Sequence, residues 1–190
     1  AGVFCNGGGP NIYNNVIRAG SGAGHAYGIF VLNGGSPNIV NNVISGKTDR
    51  DGDHSYGIHA VESSPRIVRN EINAGPRQPN RSNGILLYGS SANSTIANNW
   101  IHGGFGKEAI GIYLKEGASA RIWSNHVNAG WSQGGAGFGG AVAIAVADGS
   151  PSVVNNILFS DGGPVRYGIY EETSDSDPTL LRNNVFFDTQ

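Results

Sequence analysis

Residues 28–33 read GIFVLN, which sets Ile29 and Val31 on one side of an extended chain and Phe30 and Leu32 on the other. That period of two is the signature of a strand, not of a helix. A turn of Gly, Ser and Pro follows, then a short apolar-centred run, NIV, a pair of asparagines, and a second short run, VIS. A loop of variable length closes the unit. The second half of this unit recurs as PNIYNNVIRAG at 10–20, SPNIVNNVISG at 36–46, PRIVRNEINAG at 65–75 and NSTIANNWIHGG at 93–104. It returns again as ARIWSNHVNAG at 120–130, PSVVNNILFS at 151–160 and PTLLRNNVFF at 178–187.

Two landmarks keep step through all copies. The last asparagines are Asn15, Asn42, Asn70, Asn99, Asn125, Asn156 and Asn184, spaced 27, 28, 29, 26, 31 and 28 residues apart. A small residue followed by an aliphatic one precedes each of them: Gly2-Val3, Gly28-Ile29, Gly57-Ile58, Gly84-Ile85, Gly111-Ile112, Ala143-Ile144 and Gly168-Ile169. Three short strands and three turns per repeat predict an all-β fold, a right-handed parallel β-helix of about seven coils, as one domain over residues 1–190. No copy holds a ten-residue stretch of helical period, and glycine and β-branched residues interrupt throughout. Ile12, Ile39, Ile67, Ile96, Ile122 and Val153 are expected to stack inside one wall. Ile17, Ile44, Ile72, Ile101, Val127, Leu158 and Phe186 are expected inside another. The recurring asparagine is expected to serve as corner post, since Asn tolerates left-handed backbone angles, and its amide to bond up and down the stack as a ladder.

Composition narrows the function. Glycine supplies 31 of 190 residues, against a usual share of about 7%. A net charge of −2 offers no basic footprint for nucleic acid, and no apolar run approaches the length of a membrane span. The single cysteine, Cys5, excludes an internal disulfide and alternates with apolar neighbours as a small core residue.

With these repeats the chain resembles the right-handed parallel β-helix proteins, the superfamily of pectate lyases, alginate epimerases and many uncharacterised secreted bacterial proteins. The resemblance covers essentially the whole chain. It implies a secreted or cell-surface location and a polysaccharide or other glycan as partner. It also implies a ligand lying along the first wall, the GIFVLN column. The outward positions there read Phe4, Phe30, His59, Leu86, Tyr113, Ala145 and Tyr170, then Asn6, Leu32, Val61, Tyr88, Lys115, Ala147 and Glu172.

The sharpest constellation on that wall is His59, Tyr88, Tyr113, Lys115 and Glu116. A Lys or His can abstract a proton beside a uronate carboxylate and a Tyr can protonate a leaving oxygen, which is the chemistry of a polysaccharide lyase or epimerase. Phe4, Phe30 and Tyr170 are candidates for stacking on sugar faces. An arginine to hold a uronate is missing from the cluster; Arg81 and Arg121 are expected on other walls or loops. Glu62, Glu116 and Asp148 sit near the following turn, and Glu116 with Asp148 on neighbouring coils would suit glycoside hydrolysis. The Asp-rich motifs of hydrolases of this fold are absent, and YGIF, YGIH and YGIY keep only the Tyr-Gly of the epimerase-like motif. The loop Asp49-Arg50-Asp51-Gly52-Asp53 places carboxylates at every second position, a spacing suited to Ca²⁺ through Asp49, Asp51 and Asp53.

The chain begins on a coil and stops just after one, with no capping helix. This reads as a fragment of a longer solenoid or as a rod that associates end to end. The leading functional expectation is a non-catalytic carbohydrate-binding or adhesion module. A lyase or epimerase acting on acidic glycans, and a structural rod, stand beside it.

Overall fold

A computed structural model describes residues 1–20, 24–46, 54–76, 80–90, 92–134 and 139–189. The chain winds through seven coils, and each of its three main sheets holds seven parallel strands, one per coil. The first wall stacks Val3–Asn6, Ala26–Leu32, His54–Val61, Arg81–Tyr88, Glu108–Lys115, Ala141–Val146 and Arg166–Glu171. Asn11–Tyr13, Asn38–Val40, Arg66–Val68, Asn93–Ala97, Ser119–Trp123, Ser152–Val154 and Leu180–Arg182 form the second. The third runs from Val16–Arg18 through Trp100–His102 to Val185–Phe187. A small extra pair, Phe105–Gly106 with Trp131–Ser132, lies in the connections back to the first wall. No helix long and apolar enough to cross a membrane occurs among the described residues.

Register follows from burial. One residue per short strand points inward, so a slip of one position would turn every isoleucine to solvent. Ile12, Ile39, Ile67, Ile96, Ile122 and Val153 lie in one continuous register, and Ile17, Ile44, Ile72, Ile101, Val127 and Leu158 in another. All are buried, as is Cys5. Leu181 and Phe186 continue these two columns into the seventh coil, where each is about half exposed (51% and 49%).

The asparagine pair divides its work, which corrects the expectation that one residue does both jobs. The left-handed corner falls on the first position: Asn14, Asn41, Arg69, Asn98, Ser124, Asn155 and Asn183 have φ between 53° and 59°. The second position turns inward and builds the ladder. Asn70 Nδ2 donates to Asn99 Oδ1 on the next coil at 3.0 Å and to the Ile39 carbonyl on the previous coil at 2.9 Å. Asn99 Oδ1 also accepts the Asn70 backbone N–H at 2.9 Å. The same three bonds recur at Asn42, Asn99, Asn125 and Asn156. A buried backbone turn must find partners for its polar groups, and here a single side-chain type supplies them.

Candidate functional site

The first-wall strands start earlier than GIFVLN indicates, at Ala26, His54, Arg81 and Glu108. This adds an outward column before the glycine: Tyr27, Tyr56, Asn83, Ile110, Val142 and Tyr167. On the first coils the outer face is therefore a two-column aromatic stack. Tyr27 lies flat on Phe30 (centroids 4.5 Å, 11° between planes) and on Tyr56 (5.1 Å, 8°). Tyr56 lies 4.9 Å from His59, and Phe4 lies 5.7 Å from Phe30. Rings that stack along the rod present edges to solvent, so Phe30 and Tyr27 spend their faces on each other rather than on a sugar. At the far end Tyr167 and Tyr170 meet at 4.9 Å with their planes tilted by 35°.

Farther along, the wall becomes a partly buried ionic cluster. Tyr113 is fully buried, and its hydroxyl donates to Glu172 Oε2 at 2.5 Å. Glu172 belongs two coils on. It reaches Tyr113 because the coil between carries only Ala145 and Ala147 in the facing columns. Burial first, and then the bond to Glu172, push the Tyr113 hydroxyl far above its ordinary value of 10. Arg81 stands over the Tyr113 ring at 5.4 Å and Lys115 Nζ at 5.5 Å, a double cation–π contact. Arg81 also donates from Nε to Glu108 Oε2 at 2.6 Å, and Glu108 is nearly buried. Arg81 thus lies on the first wall, inside the cluster, and not on another wall or a loop as the sequence suggested. Its guanidinium is neutralised by Glu108.

His59 sits in the Tyr113 column two coils earlier, separated from it by Leu86. Both its ring nitrogens are buried without a hydrogen-bond partner. Burial, with a smaller contribution from His25, lowers its pKa from 6.5 to about 4. His59 is therefore neutral at physiological pH, with neither nitrogen open to solvent.

The solvent-facing remainder is a strip at the edge of the wall. Tyr88 is exposed and pairs in register with half-buried Lys115. Glu62, Glu116 and Asp148 follow at the turn, all exposed and all at left-handed φ of 44°, 55° and 58°. They stack as corner posts of the first turn, in the role asparagine fills at the second. The Glu62 carboxylate packs over the Cα of Gly89, in the space a side chain there would need. Asp148 Oδ1 accepts the Thr173 hydroxyl at 2.7 Å.

The structure thus brings Tyr113, Lys115 and Tyr88 together, leaves Glu116 at the rim, and separates His59 from them. Arg81, Glu108, Tyr27 and Tyr56 belong to the same face and were not anticipated. Their signal lay in the residues just before each Gly-Ile landmark, where loops of unequal length hide the register. The Asp49, Asp51 and Asp53 loop lies outside the described residues. Among the described residues no group of three or more His, Cys, Asp or Glu converges on one point. Trp100, Trp123 and Trp131 lie on the third wall, the second wall and the small extra pair respectively.

A three-walled parallel solenoid with an internal asparagine ladder is a β-helix. The family model of the right-handed β-helix region matches residues 1–186, and the chain belongs to that family. No curated protein and no solved structure matches it.

Proposed function

We propose that the chain is a non-catalytic glycan-recognition solenoid working outside the cell or at its surface. One observation carries this reading: three of the charged or titratable groups of the first wall, Tyr113, Arg81 and His59, are committed elsewhere, and His59 is set apart from Lys115 and Tyr88. The Tyr113 hydroxyl is held by Glu172, Arg81 is held by Glu108, and the His59 nitrogens are buried. Catalytic acids and bases need reach to the substrate and a pKa near the working pH. Exposed Tyr88 lies beside half-buried Lys115, with exposed Glu62 and Glu116 along the rim. An aromatic ring with flanking charged donors and acceptors suits sugar hydroxyls and ring faces.

The test is a panel of acidic and neutral polysaccharides, each with and without calcium because of the Asp49, Asp51 and Asp53 loop. Binding, new reducing ends and unsaturated uronate are recorded together. Binding without product is expected, with Tyr88→Ala and Lys115→Ala each weakening it about tenfold, the usual effect of removing a central contact. Product formation abolished by Lys115→Ala would replace this reading with a lyase or epimerase.

A further inference from the structure

The second wall differs from the first in charge. None of its seven strands, and none of the corner residues that follow them, is Asp or Glu. It nevertheless carries Arg66, Arg69, Arg121 and Arg182, four of the chain's 12 basic residues. Arg66 and Arg121 share one outward column with Thr95 between them, which sets them about 10 Å apart at the spacing of parallel strands. Asn11, Asn38 and Ser152 extend the same column as a row of amides and hydroxyls. Among the described residues Arg66 has a neutral partner: Nη1 donates to Asn38 Oδ1 at 3.4 Å. Among the described residues no carboxylate pairs with Arg66, Arg69 or Arg121.

The neighbouring column gives this face its shape. It reads Tyr13, Val40, Val68, Ala97 and Trp123 in unbroken register. Tyr13 and Trp123 are 45% and 47% exposed, while Val68 and Ala97 between them are buried. Two aromatic side chains thus close the ends of a low apolar floor about 19 Å long, four strand spacings. Neither ring has an aromatic partner among the described residues, unlike the self-stacked rings of the first wall. At one end, Tyr13, Asn14, Val40, Asn41, Arg66 and Arg69 line an open groove of about 440 Å³.

We propose that this trough binds an acidic polysaccharide, its carboxylate or sulfate groups on Arg66, Arg69 and Arg121 and its sugar faces against Tyr13 and Trp123. The proposal rests on the reading of the chain as a glycan-recognition module and adds a second face with its own ligand class. Guanidinium groups suit planar bidentate anions, and free aromatic faces suit the C–H face of a sugar. The trough is one short strand wide and is flanked at the first turn by exposed Glu62, Glu116 and Asp148, so a narrow polyanion fits where a duplex would meet like charge.

The test measures binding of the 190-residue chain to polygalacturonate, a sulfated galactan, a neutral β-glucan and a DNA duplex, at low and high salt. The acidic glycans are expected to bind, more weakly as salt rises. The combined variant Arg66→Ala, Arg69→Asn, Arg121→Ala is expected to lose at least about tenfold in affinity for them, and Trp123→Ala a similar amount. Asn at 69 is the residue used at that corner in neighbouring coils, so the fold is kept, and unchanged thermal unfolding verifies this. Tyr88→Ala with Lys115→Ala probes the first wall separately, and Arg18→Ala, an exposed arginine on the third wall, is expected to leave acidic-glycan binding within about twofold. If the arginine variant binds like wild type while the Tyr88 and Lys115 variant does not, the second-wall proposal falls and the first-wall reading stands. DNA binding as tight as glycan binding overturns the proposal. No binding to any polymer overturns both readings.

Discussion

Asn99→Ala is expected to destabilise the protein by about 4 kcal/mol in urea or guanidinium unfolding, the sum for two buried groups left unpaired at about 1–3 kcal/mol each plus lost amide bonds. The substitution removes the acceptor of the Asn70 backbone N–H and of Asn70 Nδ2, and the donor to Ile67 O and Asn125 Oδ1. The buried Asn70 N–H and the Ile67 carbonyl then have no replacement. Asn99→Asp is expected to be at least as damaging, because it keeps the acceptor but sets a buried carboxylate against two oxygens. The residue just before behaves differently. Asn98 is exposed at φ 55°, so Asn98→Gly is expected to change stability by less than about 1 kcal/mol and Asn98→Ala to cost about 1 kcal/mol through backbone strain. A larger cost at Asn98 than at Asn99 would overturn the division between corner and ladder.

The second large effect is a pH dependence centred on His59. Its folded pKa of about 4 lies below its unfolded value of 6.5, so the unfolded chain binds the proton more readily. The stability tied to neutral His59 is thus fully present above pH 6.5 and is lost as pH falls toward 4. At about 1.4 kcal/mol per pH unit this amounts to about 3 kcal/mol across the window. Below it both states are protonated and the contribution is flat. His59→Leu and His59→Phe place in this column the residues that neighbour it, Leu86 on one side and Phe30 on the other. Either variant is expected to flatten the unfolding free energy between pH 6.5 and 4, and to gain about 1–2 kcal/mol at neutral pH by removing two unpaired buried nitrogens. A pH profile unchanged from wild type in both variants would remove His59 as the cause.

The interior was legible from sequence because burial and period act together. Each inward Ile has only one register that hides it, and seven near-copies repeat the choice. The asparagine pair was legible as a corner but not as two roles, since Asn suits both a left-handed φ and an amide ladder. Arg69 and Ser124 are the clue that separates them: the corner tolerates other residues, whereas all seven inward positions are Asn. The first-wall cluster was harder. Arg81 and Glu108 precede their landmarks by three residues in unrelated sequence, and only the stacked register makes them a pair. Tyr113 alternates like a solvent-facing residue, and nothing local shows that Glu172, 59 positions later, covers its hydroxyl. The second wall was within reach. Arg66, Thr95 and Arg121 each stand four residues before a ladder Asn, and Tyr13 and Trp123 two before.

The alanines of the sixth coil have a consequence for cooperativity. A solenoid's stability is ordinarily a chain of nearest-neighbour terms, so that coils fray from an end one at a time. The Tyr113–Glu172 bond joins the fifth coil to the seventh. On the opposite side, His102 Nε2 meets Asp161 at 2.8 Å, joining the fourth coil to the sixth, and Asn128 on the coil between donates to the same carboxylate at 2.7 Å. His102 Nδ1 accepts the Gly104 N–H, which leaves Nε2 to carry the proton toward Asp161. These overlapping bonds are next-nearest-neighbour terms. They tie coils four to seven into one block that opens together, while the first three coils, lacking such a staple among the described residues, remain free to unzip singly.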